Sequence, residues 1–336
     1  MNSRDATNYL KGLAILAVVV NHFINNYVSD GMGGYANSLI SIFFTLSGYG
    51  IYYSLIKKSD QPALGLFTSF TTKRLSRIYP LYWIAYAFQG FPDGIPGFFA
   101  INFSDPQTLW FVPAIVQCYV VAPFLFVLVN RTPTKLNIPI VLVSLASINA
   151  IMYSSGGEPV RALAFQGIFF LHILQFYLGL VLAKLERYMS LDKHVFWISF
   201  PFVLYLVQET TPQAFLRFWG SYYILPILLT LVTFVMCASL LRSQVRLPFQ
   251  KILVFIGGFS YSIYLFHGTQ FRALTILGVL HKDGTHWLGI VLSLFTLPFF
   301  LLVYAAFETV VNELIFGERD VRRAFELFRK RLLPAT

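Results

Sequence analysis

Charge is scarce in this chain. Of its 336 residues only 12% are Asp, Glu, Lys or Arg, against about 25% in a soluble domain. Acidic residues are the scarcer sign, 15 against 25 Lys and Arg. Cysteine is nearly absent. Cys118 and Cys237 both fall in apolar runs with no zinc-like or redox spacing, which excludes a disulfide framework and reads as buried, inert thiols. There is no internal repeat and no second domain, and the linkers, such as residues 91–97 and the stretch around Pro62, are short and rich in Pro and Gly. None is long enough to be a soluble catalytic module. A cleavable signal peptide is not expected, because the first apolar run ends in Asn21, His22, Asn25 and Asn26 with no small-residue cleavage site. Any chemistry therefore has to be carried by the apolar body of the protein.

The chain as a whole is 57% hydrophobic and 18% aromatic, with a mean hydropathy of +0.65. The fold class that follows is all-α, a polytopic bundle of about ten transmembrane helices. The expected spans lie near residues 10–28, 37–56, 77–91, 109–130, 136–153, 162–183, 194–208, 219–240, 251–270 and 287–310. If the N-terminus is cytoplasmic, the inner loops receive Lys57, Lys58, Lys73, Arg74, Arg77, Arg131, Lys135, Lys184 and most of the later basic residues, while the outer loops keep only Arg161, Arg217, Arg272 and Lys282. This split satisfies the positive-inside rule and places both termini inside. The +10 net charge thus reports topology and not nucleic-acid binding, although anionic lipid or a phosphorylated substrate would also be drawn to that face. Residues 1–317 read as the transmembrane domain. Residues 318–336 read as a basic amphipathic cytoplasmic tail, with Val321, Phe325 and Phe328 at helical spacing, lying on the inner leaflet.

Polar groups inside such spans are the informative ones. Lys11 and His22 are eleven residues apart, three helical turns plus about 20°, so a helix sets them on one face roughly 16 Å apart along its axis. An ionisable group at that depth marks a functional site by default, whereas the bland reading is a snorkelling lysine and a hydrogen-bonded histidine. Lys73, Arg74 and Arg77 form the densest basic cluster between spans. On a helix they point to one side, suited either to gripping phosphates or to anchoring the topology. Ser47 and Gly48 lie in a small-residue stretch that permits close approach of a ligand or of another helix. Ser260, Tyr264 and His267 fall on one helical stripe. His172, with Gln166 and Gln175, adds polar groups to another span, as a cavity lining or a packing bond.

The order of Lys11-x10-His22, Phe43-Phe44-Thr45-Leu46-Ser47-Gly48, the run Lys73 to Pro80, Trp110 to Tyr119 and Ser260 to His267 resembles the acyltransferase-3 family of membrane acyltransferases. The resemblance implies a multi-pass protein of the bacterial cytoplasmic membrane. Such a protein moves an acyl group, most often acetyl from acetyl-CoA, to a hydroxyl of an extracytoplasmic or lipid-linked glycan such as O-antigen, capsule or exopolysaccharide. It implies acyl-CoA, the glycan and membrane lipid as partners, with no metal and no nucleic acid. Residue by residue, His22 matches the family's essential histidine and Lys11 its basic partner. Lys73, Arg74 and Arg77 match the segment thought to meet the coenzyme, with Ser47 and Gly48 beside it, and Asn25, Gln117, Tyr119, Tyr264 and His267 are left as acceptor-binding candidates. Two departures stand out: Asn8 replaces a common Asp, and Ile115 and Val116 replace a common Glu pair. A mechanism using that pair is excluded, and the chain looks more like the branch associated with enterobacterial common antigen and poly-N-acetylglucosamine.

The spacing suits this chemistry. A coenzyme held by its phosphates at the cytoplasmic edge would carry its thioester about halfway across a bilayer of roughly 30 Å, the expected depth of His22. A neutral imidazole there can act as general base on a sugar hydroxyl or as nucleophile through an acyl-imidazole, and the base is the reading preferred here. Ser47, Gln117, Tyr119 and Tyr264 are all conceivable oxyanion donors. The alternative class is an exporter of polysaccharide or a small solute, with no acyl-transfer chemistry. Neither an inverted repeat nor a pair of broken helices is evident in the sequence to favour it.

Overall fold

In a computed structural model the described residues are 3–27, 34–60, 62–90, 94–100, 109–133, 135–137, 139–140, 143–144, 169–185, 249–280 and 287–316. All regular structure among them is α-helical. The helices are α1 (Ser3–Tyr27), α2 (Gly34–Ile56), α3 (Ala63–Phe88), α4 (Gly94–Phe98), α5 (Phe111–Arg131), α6 (Phe169–Leu185), α7 (Gln250–Gly258), α8 (Ser260–Ile276) and α9 (Trp287–Phe316). By length and apolarity three can cross a membrane, within α1, α5 and α9, and the pair α7–α8 makes a fourth if its two parts are one span. The expected spans at 194–208 and 219–240, most of 136–153, and the tail at 318–336 lie outside the described residues.

Two expected boundaries change. The helix expected to begin near residue 77 starts at Ala63, so the basic cluster rides on α3 itself and is not a loop beside it. Pro80 lies within that helix without ending it, as prolines do where neighbouring groups take up the freed carbonyl. The span expected over 251–270 is broken: α7 and α8 meet at 85°. Gly257, Gly258 and Ser260 bracket Phe259 at the bend, and glycine–serine runs are where helices kink sharply. The backbone is repaired locally by Phe259 N–H to Ile256 O at 3.0 Å and Ile263 N–H to Phe259 O at 3.1 Å. A broken helix is thus present that the sequence reading did not see.

The described residues fall into two compact units. One contains α1, α7, α8 and α9. Its closest packing is α1 against α7, where both partners use glycine. A Cβ on Gly12 would run into the Leu253 carbonyl, and one on Gly257 into the Asn8 carbonyl. Without a hydrophobic drive between helices in lipid, such backbone approach and interhelical polar bonds hold them together. These bonds include Tyr27 with Thr275 at 3.3 Å between α1 and α8, and Thr269 with Tyr304 at 2.9 Å and Gln270 Nε2 with Ser293 O at 3.1 Å between α8 and α9.

The second unit contains α2 from Ile40, with α3 to α6. Here Gly48 of α2 and Gly179 of α6 face each other: a Cβ on Gly48 would strike the Phe176 carbonyl, and one on Gly179 the Thr45 carbonyl. Lys184 Nζ donates to Val129 O at 2.7 Å and Thr132 O at 2.8 Å, placing a cation on the last carbonyls of α5. Helix α4 is pinned to α3 through its backbone, with Tyr79 donating to Phe99 O at 2.7 Å and Trp83 to Phe98 O at 3.0 Å.

Candidate active site

Lys11 and His22 lie on α1 without interruption, so their eleven-residue spacing does set them on one face. His22 does not stand alone. Its Nδ1 is 3.3 Å from Nε2 of His267 on α8, and the two rings meet edge to face with centroids 5.0 Å apart. The second ring nitrogen of His267 is 2.7 Å from the Tyr264 carbonyl. His267 is 5% exposed, closed in by Phe271, whose ring centroid is 5.9 Å away, while the Phe271 ring packs at an angle against Phe23 and Tyr27 of α1. The stripe read from the sequence is intact, since Ser260, Tyr264 and His267 are all buried on α8. Asn21, beside His22, is buried and its amide nitrogen has no partner among the described residues. The side chain of Asn25 lies outside the described residues.

The remaining candidates belong to the second unit and form their own cluster. On α3, Lys73 and Arg77 are exposed while Arg74 is half-buried. Arg74 donates to Ser54 Oγ at 2.7 Å, and its guanidinium lies over the rings of Phe70 and Tyr119, 5.6 and 5.9 Å from their centroids. Among the described residues no carboxylate pairs with it. Ser47 lies beside the Tyr119 hydroxyl, so α2, α3 and α5 each bring one candidate, Ser47, Arg74 and Tyr119, to the same place. Gln117 has both amide atoms buried without a partner among the described residues. The absence of a side chain at Gly48 is accounted for by its contact with α6, the packing alternative that the sequence left open.

His172 is clamped between aromatic rings. It stacks on Phe44 at 4.3 Å and on Trp110 at 5.4 Å, and its Nδ1 bonds Gln175 at 3.1 Å. Two participants escaped the sequence reading. Ser54 lies seven residues after Ser47, two turns along one face of α2, a spacing that would have flagged it. Thr71 has a buried hydroxyl without a partner among the described residues and sits one turn before Arg74, a position that carries no signal of its own. Cys118 is buried. His, Cys, Asp and Glu form no group of three able to hold a metal ion among the described residues.

The chain belongs to the acyltransferase-3 family, matching its acyltransferase domain over residues 4–307. The class that fold and match define together is an acyltransferase-type domain carried on long apolar helices. Among its relatives are proteins of Staphylococcus aureus strains COL, MSSA476 and N315, each bearing the name "Putative O-acetyltransferase". Each is 23% identical over 378 residues, covering 97% of this chain and 57% of the relative. The chain thus spans little more than half the length of the curated relatives it matches. No solved structure matches it.

Proposed function

We propose that the protein transfers an acyl group, acetyl in the first instance, from acyl-CoA on the cytoplasmic side to a hydroxyl of an extracytoplasmic or lipid-linked bacterial glycan. It does so in the cytoplasmic membrane, with both termini inside. His22 is the general base: it takes the proton of the sugar hydroxyl as that oxygen bonds to the thioester carbonyl carbon. The carbon–sulfur bond then breaks, and the CoA thiolate leaves and recovers the proton. Lys11 supplies the cation on the same helix face. Lys73, Arg74 and Arg77 offer charge for the coenzyme's phosphates, with Arg74 unpaired by any described carboxylate, and Ser47, Tyr119 and Gln117 offer hydrogen bonds. Tyr264 and Asn25 are assigned to the acceptor.

The observation that carries this reading is His22, a histidine in an apolar helix. One of its ring nitrogens is hydrogen-bonded and the other has no partner among the described residues, in a chain that matches an acyltransferase family over nearly its whole length. The test is CoA release from acetyl-CoA by the purified protein in lipid, with an extracted glycan mixture. His22→Ala is expected to lower acceptor-dependent release by about 10²–10⁴-fold, the usual value of general-base assistance, at unchanged folding. Folded wild type that neither binds acetyl-CoA nor releases CoA would turn the reading to export. The bend between α7 and α8 favours that second reading, since transporters build sites on discontinuous helices.

A further inference from the structure

We propose that His267 is a positioning residue that sets the tautomer of His22, so that Nε2 is the nitrogen His22 presents to the reacting hydroxyl. The inference rests on the reading of His22 as the base and names which of its atoms acts.

The argument starts from the one partner whose role is fixed. A carbonyl oxygen only accepts, so the 2.7 Å contact between His267 Nδ1 and Tyr264 O puts a proton on Nδ1. A neutral imidazole carries one N–H, and its other nitrogen is then an acceptor. Nε2 of His267 is therefore a lone pair, and what faces it at 3.3 Å is His22 Nδ1, which must be the donor. With its proton committed to that bond, neutral His22 has its lone pair on Nε2. The bond made by one ring nitrogen decides what the other can do, the logic by which an orienting group behind a catalytic histidine fixes its tautomer. Here the orienting group is a second imidazole, itself oriented by a helix carbonyl.

The surroundings keep the arrangement in place. His267 is buried against Phe271, which is itself backed by Phe23 and Tyr27 of α1, so its surroundings leave little room for water to compete for Nε2. The Tyr264 carbonyl lies one turn before it on the same helix, so α8 carries the relay as a unit. In the reaction the proton of the sugar hydroxyl passes to His22 Nε2 as the new carbon–oxygen bond forms and the carbon–sulfur bond breaks. The imidazolium charge on His22 is eased through its Nδ1–H to His267 Nε2, and the departing thiolate takes the proton from Nε2. The products are the ester and free CoA, and both histidines return to their starting tautomers. This gives His267 a place behind the base, where the sequence had grouped it with the acceptor-binding residues.

The test is solid-state nitrogen NMR on the protein in lipid with 15N-labelled histidine, the His22 signals being assigned by their loss in His22→Gln. Wild-type His22 is expected to be protonated on Nδ1 and bare on Nε2. His267→Phe keeps a ring but removes the acceptor and should shift His22 towards the other tautomer. His267→Gln keeps an acceptor near the same place and should restore the wild-type form. In CoA release, His267→Phe should lower kcat on the order of 10²-fold with the KM for acetyl-CoA unchanged, and His267→Gln should recover most of the loss. A wild-type His22 protonated on Nε2, or a tautomer unmoved in His267→Phe, overturns the proposal even if the enzyme is active. The expected NMR pattern in a protein that never cleaves acetyl-CoA would instead sink the acyltransferase reading and leave the histidine relay standing. Should His267→Phe fail to fold, the wild-type and His267→Gln spectra still decide the tautomer.

Discussion

Gln117 is the residue on which fold and function make opposite demands. A buried amide with no partner destabilises a protein by about 1–3 kcal/mol for each unmet group, and Gln117 leaves both of its amide atoms in that state among the described residues. An apolar side chain of similar size should therefore be neutral or stabilising. Gln117→Leu is expected to hold or raise the unfolding midpoint in detergent while weakening acetyl-CoA binding at least tenfold, read by thermal denaturation and equilibrium binding on the same preparations. A lowered midpoint would mean that the amide serves the fold and not a ligand. Arg74 differs in kind. Its Ser54 bond and its two aromatic neighbours hold the guanidinium still without neutralising it, which leaves its charge for an anion.

Helices in this protein approach each other through glycine, and the neighbours of each glycine separate packing from conformational freedom. Gly48 and Gly257 meet backbone of another helix. Gly50 has open space around it, and Gly258 meets only the end of Asn8 at 4.0 Å. Gly48→Ala and Gly257→Ala should each destabilise by about 1–3 kcal/mol, because rigid backbone has to move. Gly50→Ala should be neutral or stabilise by up to about 1 kcal/mol through helix propensity. Chemical denaturation of the four variants, Gly258→Ala included as the control for the bend, checks the contrast. Loss of stability in Gly50→Ala equal to that in Gly48→Ala would remove the argument. The bend itself bears on the candidate site, because α8 holds both His267 and the carbonyl that orients it.

For the whole molecule the distribution of basic residues is the strongest constraint on how it sits in a membrane. Lys58 is expected on the cytoplasmic side and Lys282 on the outer side. With Cys118 and Cys237 replaced by Ala, Lys282→Cys should react with a membrane-impermeant maleimide on intact spheroplasts, and Lys58→Cys only after permeabilisation. The reverse pattern would invert the topology and put Lys73, Arg74 and Arg77 on the wrong face for the proposed cytoplasmic acyl-CoA.

Much of this was legible along the chain because it is periodic or local. Apolar length marks membrane helices, eleven residues put Lys11 and His22 on one face, a stripe of three marks α8, and five ordered motifs pointed to the family that the domain match shows. Charge and hydropathy fixed no more than that. The 85° break at Phe259, the seating of Gly48 against α6 and the gathering of Ser47, Arg74 and Tyr119 depend on which helices touch, and side-chain spacing within one helix carries no information about its neighbour. The pairing of His22 with His267 is the extreme case. The two residues are 245 positions apart, each looks like an isolated intramembrane histidine, and only the packing of α1 on α8 makes one the orienting partner of the other.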